Sequence, residues 1–304
     1  MVARPNGDKK PAKPRAGLIF SIAFVLGLLT PFSYFYLFEI FNTKVRNKKD
    51  LEGLSVPLVG EIPEWKKSKK SKTDPETDEN IVVEPNNRNS INDAFRVLRT
   101  NINFMTKSSR SSESGCVFMV TSMTPGNGKS FISVNLCTAL ALRDRKVLLI
   151  DGDLRHGSTS KTVGSPSKGI SDYLVGGSDD WRKFIVTDPA MHGAAVLPVG
   201  HFPPNPTELL ESERFEKMIA EMRKEYEYIF IDCPPINAMA DARIVERLSD
   251  RTIFVVRAGV LDRSELPEIE KLYWEKSLKN MSIILNGLKT VDSVYHSKYG
   301  YHNE

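Results

Sequence analysis

Residues 116–130 read CVFMVTSMTPGNGKS. An apolar, β-rich run ends at Thr121, a turn containing Gly126 and Gly128 follows, and Lys129–Leu142 reads as a helix. A strand, a glycine-bearing turn, Gly-Lys-Ser and a helix are what a nucleotide phosphate needs. Backbone N–H groups of the turn and the helix N-terminus point at the anion. Gly126 and Gly128 let the backbone approach closely, Lys129 brings a point charge, and the Ser130 hydroxyl is a candidate Mg²⁺ ligand. The usual spacing would put a first glycine at position 123, where this chain has Met123. An accidental Gly-Lys-Ser at a helix start is the plainer reading, and the strand–loop–helix context weighs against it.

Working outward, five further runs read as strands: Lys146–Ile150, Ala195–Pro198, Tyr228–Asp232, Thr252–Arg257 and Ser282–Leu285. They are dense in Val, Ile and Leu without polar alternation, which suits strands buried on both faces of a parallel sheet. Between and around them Asn89–Phe104, Leu209–Arg223, Asp241–Leu248 and Ser264–Leu278 read as helices. This rhythm predicts a P-loop NTPase-like α/β fold: a doubly wound, mainly parallel sheet with helices on both faces. Ligands then bind beyond the carboxyl ends of the strands.

Two more strands end in acid. KVLLI runs into Asp151-Gly152-Asp153-Leu154-Arg155, and YIFI into Asp232-Cys233-Pro234-Pro235. Asp151 and Asp153 converge on one side if the strand continues. Paired carboxylates at the ligand edge suit a metal–water shell or proton acceptance from a hydroxyl. A single strand-end Asp is more often a cap or turn former. Three such sites in this order point instead to Mg²⁺–ATP.

The chain has 304 residues, with 42 Lys+Arg against 38 Asp+Glu and a net charge of +4, so a protein that coats nucleic acid is not expected. Its three cysteines, Cys116, Cys137 and Cys233, are too scattered for a disulfide framework or a metal set. Residues 17–38 carry no charge. As a helix they span about 33 Å against a hydrocarbon core of ~30 Å. A transmembrane helix is the expected reading; a signal peptide or a buried soluble helix competes with it, but the run is long and lacks a cleavage site. Basic residues flank both ends, so charge alone does not orient it. ATP chemistry does, placing the domain in the cytoplasm. Residues 62–85 read as a mobile charged linker whose basic half either lies on anionic headgroups or is a solvated tether.

At these residues the chain resembles the bacterial tyrosine kinases of capsule and exopolysaccharide machinery, from the last transmembrane helix onward. Ser122–Ser130 is similar to the family's Walker A motif, Val147–Arg155 to its Walker A′, and Ile229–Pro235 to its Walker B, with Cys233 where Thr is usual. Residues 204–210 (PNPTELL) and 51–63 (LEGLSVPLVGEIP) also look like the family's. The resemblance implies a membrane-anchored ATP-dependent autokinase of the bacterial inner membrane. It implies Lys129, Asp151, Asp153 and Asp232 as catalytic, with Asp153 the base. Pro125, Gly126, Asn127, Gly128, Lys129, Ser130, Phe131 and Arg155 are implied to contact ATP, and Ser130, Asp151 and Asp232 to hold Mg²⁺. Asn127 stands where the family often has Glu, and Asn286 is a weak candidate for adenine contact.

The family's E-x-x-R-x-x-R oligomer motif reads Asp93, Arg96, Arg99 here, which implies a ring-like homo-oligomer. The tail Tyr295–Glu304 looks like a short version of the family's tyrosine cluster, with Tyr295, Tyr299 and Tyr301 as phosphoacceptors. Further implied partners are the membrane, polysaccharide polymerisation and export machinery and a tyrosine phosphatase; nucleic acid is not among them. Full-length relatives carry an earlier span and an extracytoplasmic domain. The expected organisation is a basic segment (1–16), a transmembrane helix (17–38), a juxtamembrane segment and linker (39–88), the kinase domain (89–290) and the tyrosine tail (291–304). Two rivals share the binding motifs: a partitioning-type ATPase, whose signature lysine is replaced by Thr124, and an ATP-gated scaffold that regulates polysaccharide chain length.

Overall fold

A computed structural model describes residues 16–40, 42–65, 80–87, 89–107, 114–237 and 241–289. It divides into two units, 1–43 and 44–304. In the first, α1 (Ala16–Ile40) is an apolar helix containing Pro31. Its window Gly17–Tyr34 has mean hydropathy 1.8, long and apolar enough to cross a membrane. Two of its hydroxyls bond to its own backbone: Ser21 Oγ donates to the Gly17 carbonyl at 2.9 Å and Thr30 Oγ1 to that of Leu26 at 2.8 Å.

In the second unit, consecutive residues of the apolar strands point to opposite faces and find a core on each. The strands are β1 (Leu58–Pro63), β2 (Cys116–Thr121), β3 (Val147–Asp151), β4 (Val186–Thr187), β5 (Ala195–Leu197), β6 (Tyr228–Asp232), β7 (Arg251–Arg257) and β8 (Ser282–Leu288). They form one sheet in the order β1-β8-β7-β2-β6-β3-β5-β4. Only the pairing of β4 with β5 is antiparallel. On one face α2 (Ser90–Lys107) and α3 (Lys129–Ala141) cover Phe118, Leu149, Phe230 and Val255. On the other, α4 (Ile170–Leu174), α5 (Pro206–Glu211), α6 (Glu213–Glu225), α7 (Asp241–Leu248) and α8 (Leu266–Trp274) cover Met119, Ile150, Ile231 and Val256. The expected doubly wound, mainly parallel sheet is present.

Parts of the expected juxtamembrane segment and linker, 39–88, join the folded unit. β1 lies within this region and pairs in parallel with β8. LVGEIP carries Gly, Glu and Pro, the signature of an edge strand rather than of a buried one. Gly60 lets α2 lie close on the strand: a Cβ there would sit 2.8 Å from Leu98 Cδ1. Val82 and Val83 are also buried. Their N–H groups donate to Asn135 Oδ1 at 2.8 and 3.1 Å, and Asn135 Nδ2 donates to the carbonyls of Asn80 and Phe131 at 2.8 and 2.9 Å. The fully buried amide thus clamps this segment to α3. The expected helix 209–223 is two helices, α5 and α6, hinged at Ser212, whose hydroxyl caps α6.

Asn135→Ala strands two buried backbone donors and is expected to destabilise the chain by about 2–4 kcal/mol. Denaturant unfolding of the detergent-solubilised chain, followed by Trp fluorescence, measures this.

Candidate functional site

β6 lies between β2 and β3, with Asp232 level with Val120 on one side and with Asp151 on the other. This register lines up the phosphate loop and both acidic strand ends along the carboxyl edge of the sheet.

Polar side chains fix the loop. Asn127 is fully buried. Its Nδ2 donates to the Thr124 carbonyl at 2.7 Å, its Oδ1 accepts the Arg257 N–H at 2.9 Å, and its carbonyl accepts Asn286 Nδ2 at 3.0 Å. The Arg257 guanidinium donates to the Gly126 carbonyl at 3.1 Å. Asn286 therefore supports the loop with the amide that was a candidate for adenine contact. Gly126 and Gly128 have φ of 81° and 85°, and a Cβ on Gly128 would collide with Asn286. Met123 does not enter the left-handed region, and its side chain is buried in the core, so no glycine is needed there. Pro125 and Gly126 are exposed at the loop tip. The Phe131 ring instead packs edge-on to Phe95, 6.1 Å away; only its backbone, in the first turn of α3, faces the loop.

Lys129 Nζ donates to Ser122 Oγ at 3.3 Å. Burial lowers the Lys129 pKa, and the Asp232 and Asp153 carboxylates oppose the shift. Asp232 and Asp151 are both buried. Burial raises the Asp232 pKa against the Ser130 and Thr159 hydroxyls and the Lys129 charge. Thr159 Oγ1 donates to Asp232 Oδ2 at 2.7 Å, while Oδ1 has no hydrogen-bond partner. Asp151 Oδ2 accepts both the N–H and the hydroxyl of Ser160 at 2.7 Å. Burial, and then the Asp232 charge, pushes Asp151 up to about 7.

Asp151 and Asp153 are brought near each other by a turn rather than by a continued strand: the Asp153 N–H donates to Asp151 Oδ1 at 3.3 Å, and the Asp153 charge acts on Asp151, Asp232 and Lys129. β3 ends at Asp151, and Asp153 sits in the following turn. Its Oδ1 accepts the N–H groups of Arg155 and His156 at 3.3 and 3.1 Å and lies 3.1 Å from His156 Nδ1. Arg155 turns to Asp241 Oδ2 at 3.2 Å and Thr207 Oγ1 at 3.1 Å, tying the turn to α5 and α7. Cys233 is buried, with Sγ 3.6 Å from where a Gly152 Cβ would lie, so core packing absorbs this departure from Thr. Thr159 and Ser160 were not singled out in the sequence; the signal was two hydroxyl residues shortly after a D-x-D.

The described residues hold no cluster of three or more His, Cys, Asp or Glu placed for a metal. A magnesium ion does not need one, since it takes one or two carboxylates and completes its shell with water and phosphate. The donor atoms here are all oxygen, and one buried carboxylate oxygen is unpartnered, which fits that ion.

A family model described as an AAA domain matches residues 117–262. The tyrosine-protein kinase CpsD of Streptococcus agalactiae is 33% identical over 210 residues, covering 68% of this chain and 88% of that protein. The chain belongs to the bacterial tyrosine-kinase family. Another member, the putative tyrosine-protein kinase AmsA of Erwinia amylovora, is 30% identical over 306 residues, covering 96% of this chain and 40% of that protein. The chain thus spans about 40% of the length of the first curated relatives it matches. Among solved structures, the kinase domain of the Escherichia coli tyrosine kinase ETK superposes with a TM-score of 0.71 at 28% identity, covering 85% of this chain and all of that one.

The remaining residues implied by this tyrosine-kinase family separate. Arg96 pairs with Asp93 at 2.8 Å and donates to the Asn87 carbonyl at 2.9 Å. Arg99 donates to the Ala139 carbonyl at the end of α3 at 3.0 Å. Tyr295, Tyr299 and Tyr301 lie outside the described residues.

Asn127→Ala removes the two side-chain ties of the loop and keeps the backbone one to Asn286. It is expected to weaken ATP binding by about tenfold, read by titration calorimetry, and to lower the melting temperature by a few degrees.

Proposed function

We propose that this chain is a membrane-anchored ATP-dependent protein-tyrosine autokinase. The observation that carries this is the grouping of Lys129, Asp232 and Asp153 within electrostatic reach of one another beneath a phosphate loop, in a chain related to CpsD over most of that protein. The backbone N–H groups of residues 126–131 and the Lys129 ammonium bind and orient the ATP phosphates. Ser130, Asp151 and Asp232 hold Mg²⁺, which when bound neutralises charge on the phosphates.

Asp153 is the base. Its carboxylate takes the proton of a tyrosine hydroxyl as the phenolic oxygen bonds to the γ-phosphorus; the bond from that phosphorus to the β-bridging oxygen breaks, and ADP leaves. Most of the catalysis is positioning and charge neutralisation. The acceptors are Tyr295, Tyr299 and Tyr301 of a neighbouring copy, with transfer in trans. α1 crosses the bacterial inner membrane and leaves the kinase unit in the cytoplasm. Copies assemble as a ring through the α2 face bearing Asp93, Arg96 and Arg99. The output is control of capsular or extracellular polysaccharide synthesis and export, reset by a tyrosine phosphatase.

Incubation of the detergent-solubilised chain with Mg²⁺–ATP is expected to yield phosphotyrosine at 295, 299 or 301 by mass spectrometry. Lys129→Met is expected to lower the yield by about 10²–10³-fold. Mixing Lys129→Met with an active chain truncated at 290 should restore phosphate to the Lys129→Met tail. ATP bound with no phosphotyrosine formed would favour the scaffold reading.

A further inference from the structure

Phe202 is 61% exposed, a large apolar side chain at the ligand edge of the sheet. It lies in the loop after β5, which runs parallel to β3, so the loop emerges at the same edge as the turn bearing Asp153. The backbone around it is held firmly. The Val199 N–H donates to Ser160 Oγ at 2.8 Å, and Ser171 Oγ donates to the Val199 carbonyl at 2.8 Å. His201 Nδ1 lies 2.7 Å from Asp172 Oδ1. Gly200 has φ of 77°, with Asp172 and the Gly169 N–H where a side chain would go.

The Phe202 ring rests on the Asp153 turn. A Cβ on Gly157 would lie 3.2 Å from its Cε1 and Cζ, so glycine there makes room for the ring. The Gly157 N–H in turn donates to the Asp153 carbonyl at 3.0 Å. A rigid loop therefore seats an aromatic ring beside Gly157, at the far end of the turn that begins at the candidate base, and leaves most of it open to solvent. Asp153 can accept a proton from any hydroxyl; nothing in a carboxylate distinguishes tyrosine from serine. An adjacent aromatic face does, because phenol and phenyl rings attract beyond their buried area when offset or edge-on.

We propose that Phe202 is the seat for the ring of the acceptor tyrosine and sets the preference for tyrosine over serine and threonine. This rests on the kinase reading. The occupant is a tyrosine of the 291–304 segment of another copy, whose polar neighbours offer its ring little else to pack on.

The test uses the detergent-solubilised full chain and a synthetic peptide of residues 291–304. Phe202→Ala is expected to raise KM for the peptide by about 3–10-fold. ATP affinity and melting temperature should stay unchanged. Phe202→Tyr should restore KM and Phe202→Leu should not; Phe202→Leu also carries the test if Phe202→Ala folds poorly. Replacing the peptide tyrosines with phenylalanine should give an inhibitor that Phe202→Ala binds more weakly. An unchanged peptide KM in Phe202→Ala, with wild type active, overturns the seat alone. So does full rescue by Phe202→Leu. A wild-type chain that binds ATP yet phosphorylates nothing overturns the kinase reading, and the seat with it.

Discussion

Two carboxylates buried side by side are the constraint on which the rest of this site depends. Asp151 and Asp232 occupy the same level of adjacent strands, and each is removed from water. Burial disfavours the charged form of each, and the Asp232 charge disfavours it further in Asp151, which is pushed up to about 7. Such a pair persists in a folded domain only with compensation. Here the compensation is local. Ser160 gives Asp151 two hydrogen bonds, Thr159 gives Asp232 one, and the Ser130 hydroxyl and the Lys129 charge also favour the charged form of Asp232. The set is left one partner short at Asp232 Oδ1. A hard cation fits that deficit.

The surrounding fold reads as support for this arrangement. Both faces of the sheet are covered, so the strand ends are set by core packing rather than by loops. Asn127, Arg257 and Asn286 hold the phosphate loop from the β7 and β8 side. Arg155, Thr207 and Asp241 hold the Asp153 turn from the opposite side, Thr207 Oγ1 donating to Asp241 Oδ1 at 2.7 Å. The ligand edge is therefore preorganised, as a reaction driven by positioning requires.

Much of this was legible in the sequence because strands buried on both faces must be continuously apolar, and because a phosphate loop needs its glycines and lysine between a strand and a helix. The central strands and the aspartates at their ends follow from those two rules. β1 did not follow, since an edge strand tolerates Gly, Glu and Pro and so lacks the continuous apolar run of the central strands. The turn that carries Asp153 did not follow either: alternation predicts side-chain direction only while the strand lasts, and β3 stops at Asp151. Nor did the roles of Thr159, Ser160, Asn135 and Phe202. Each is defined by a partner distant in sequence or by a backbone turn, and single-chain patterns carry neither.

The central claim is that the acidic strand ends make phosphate binding conditional on a divalent cation. Titration calorimetry of the detergent-solubilised chain with ATP, in Mg²⁺ and in a metal chelator, tests it most directly. The account predicts binding at least about tenfold tighter with Mg²⁺, because without it the phosphates meet two buried carboxylates. Asp232→Asn should shrink that difference. Equal affinities with and without Mg²⁺ in the wild-type chain would contradict it.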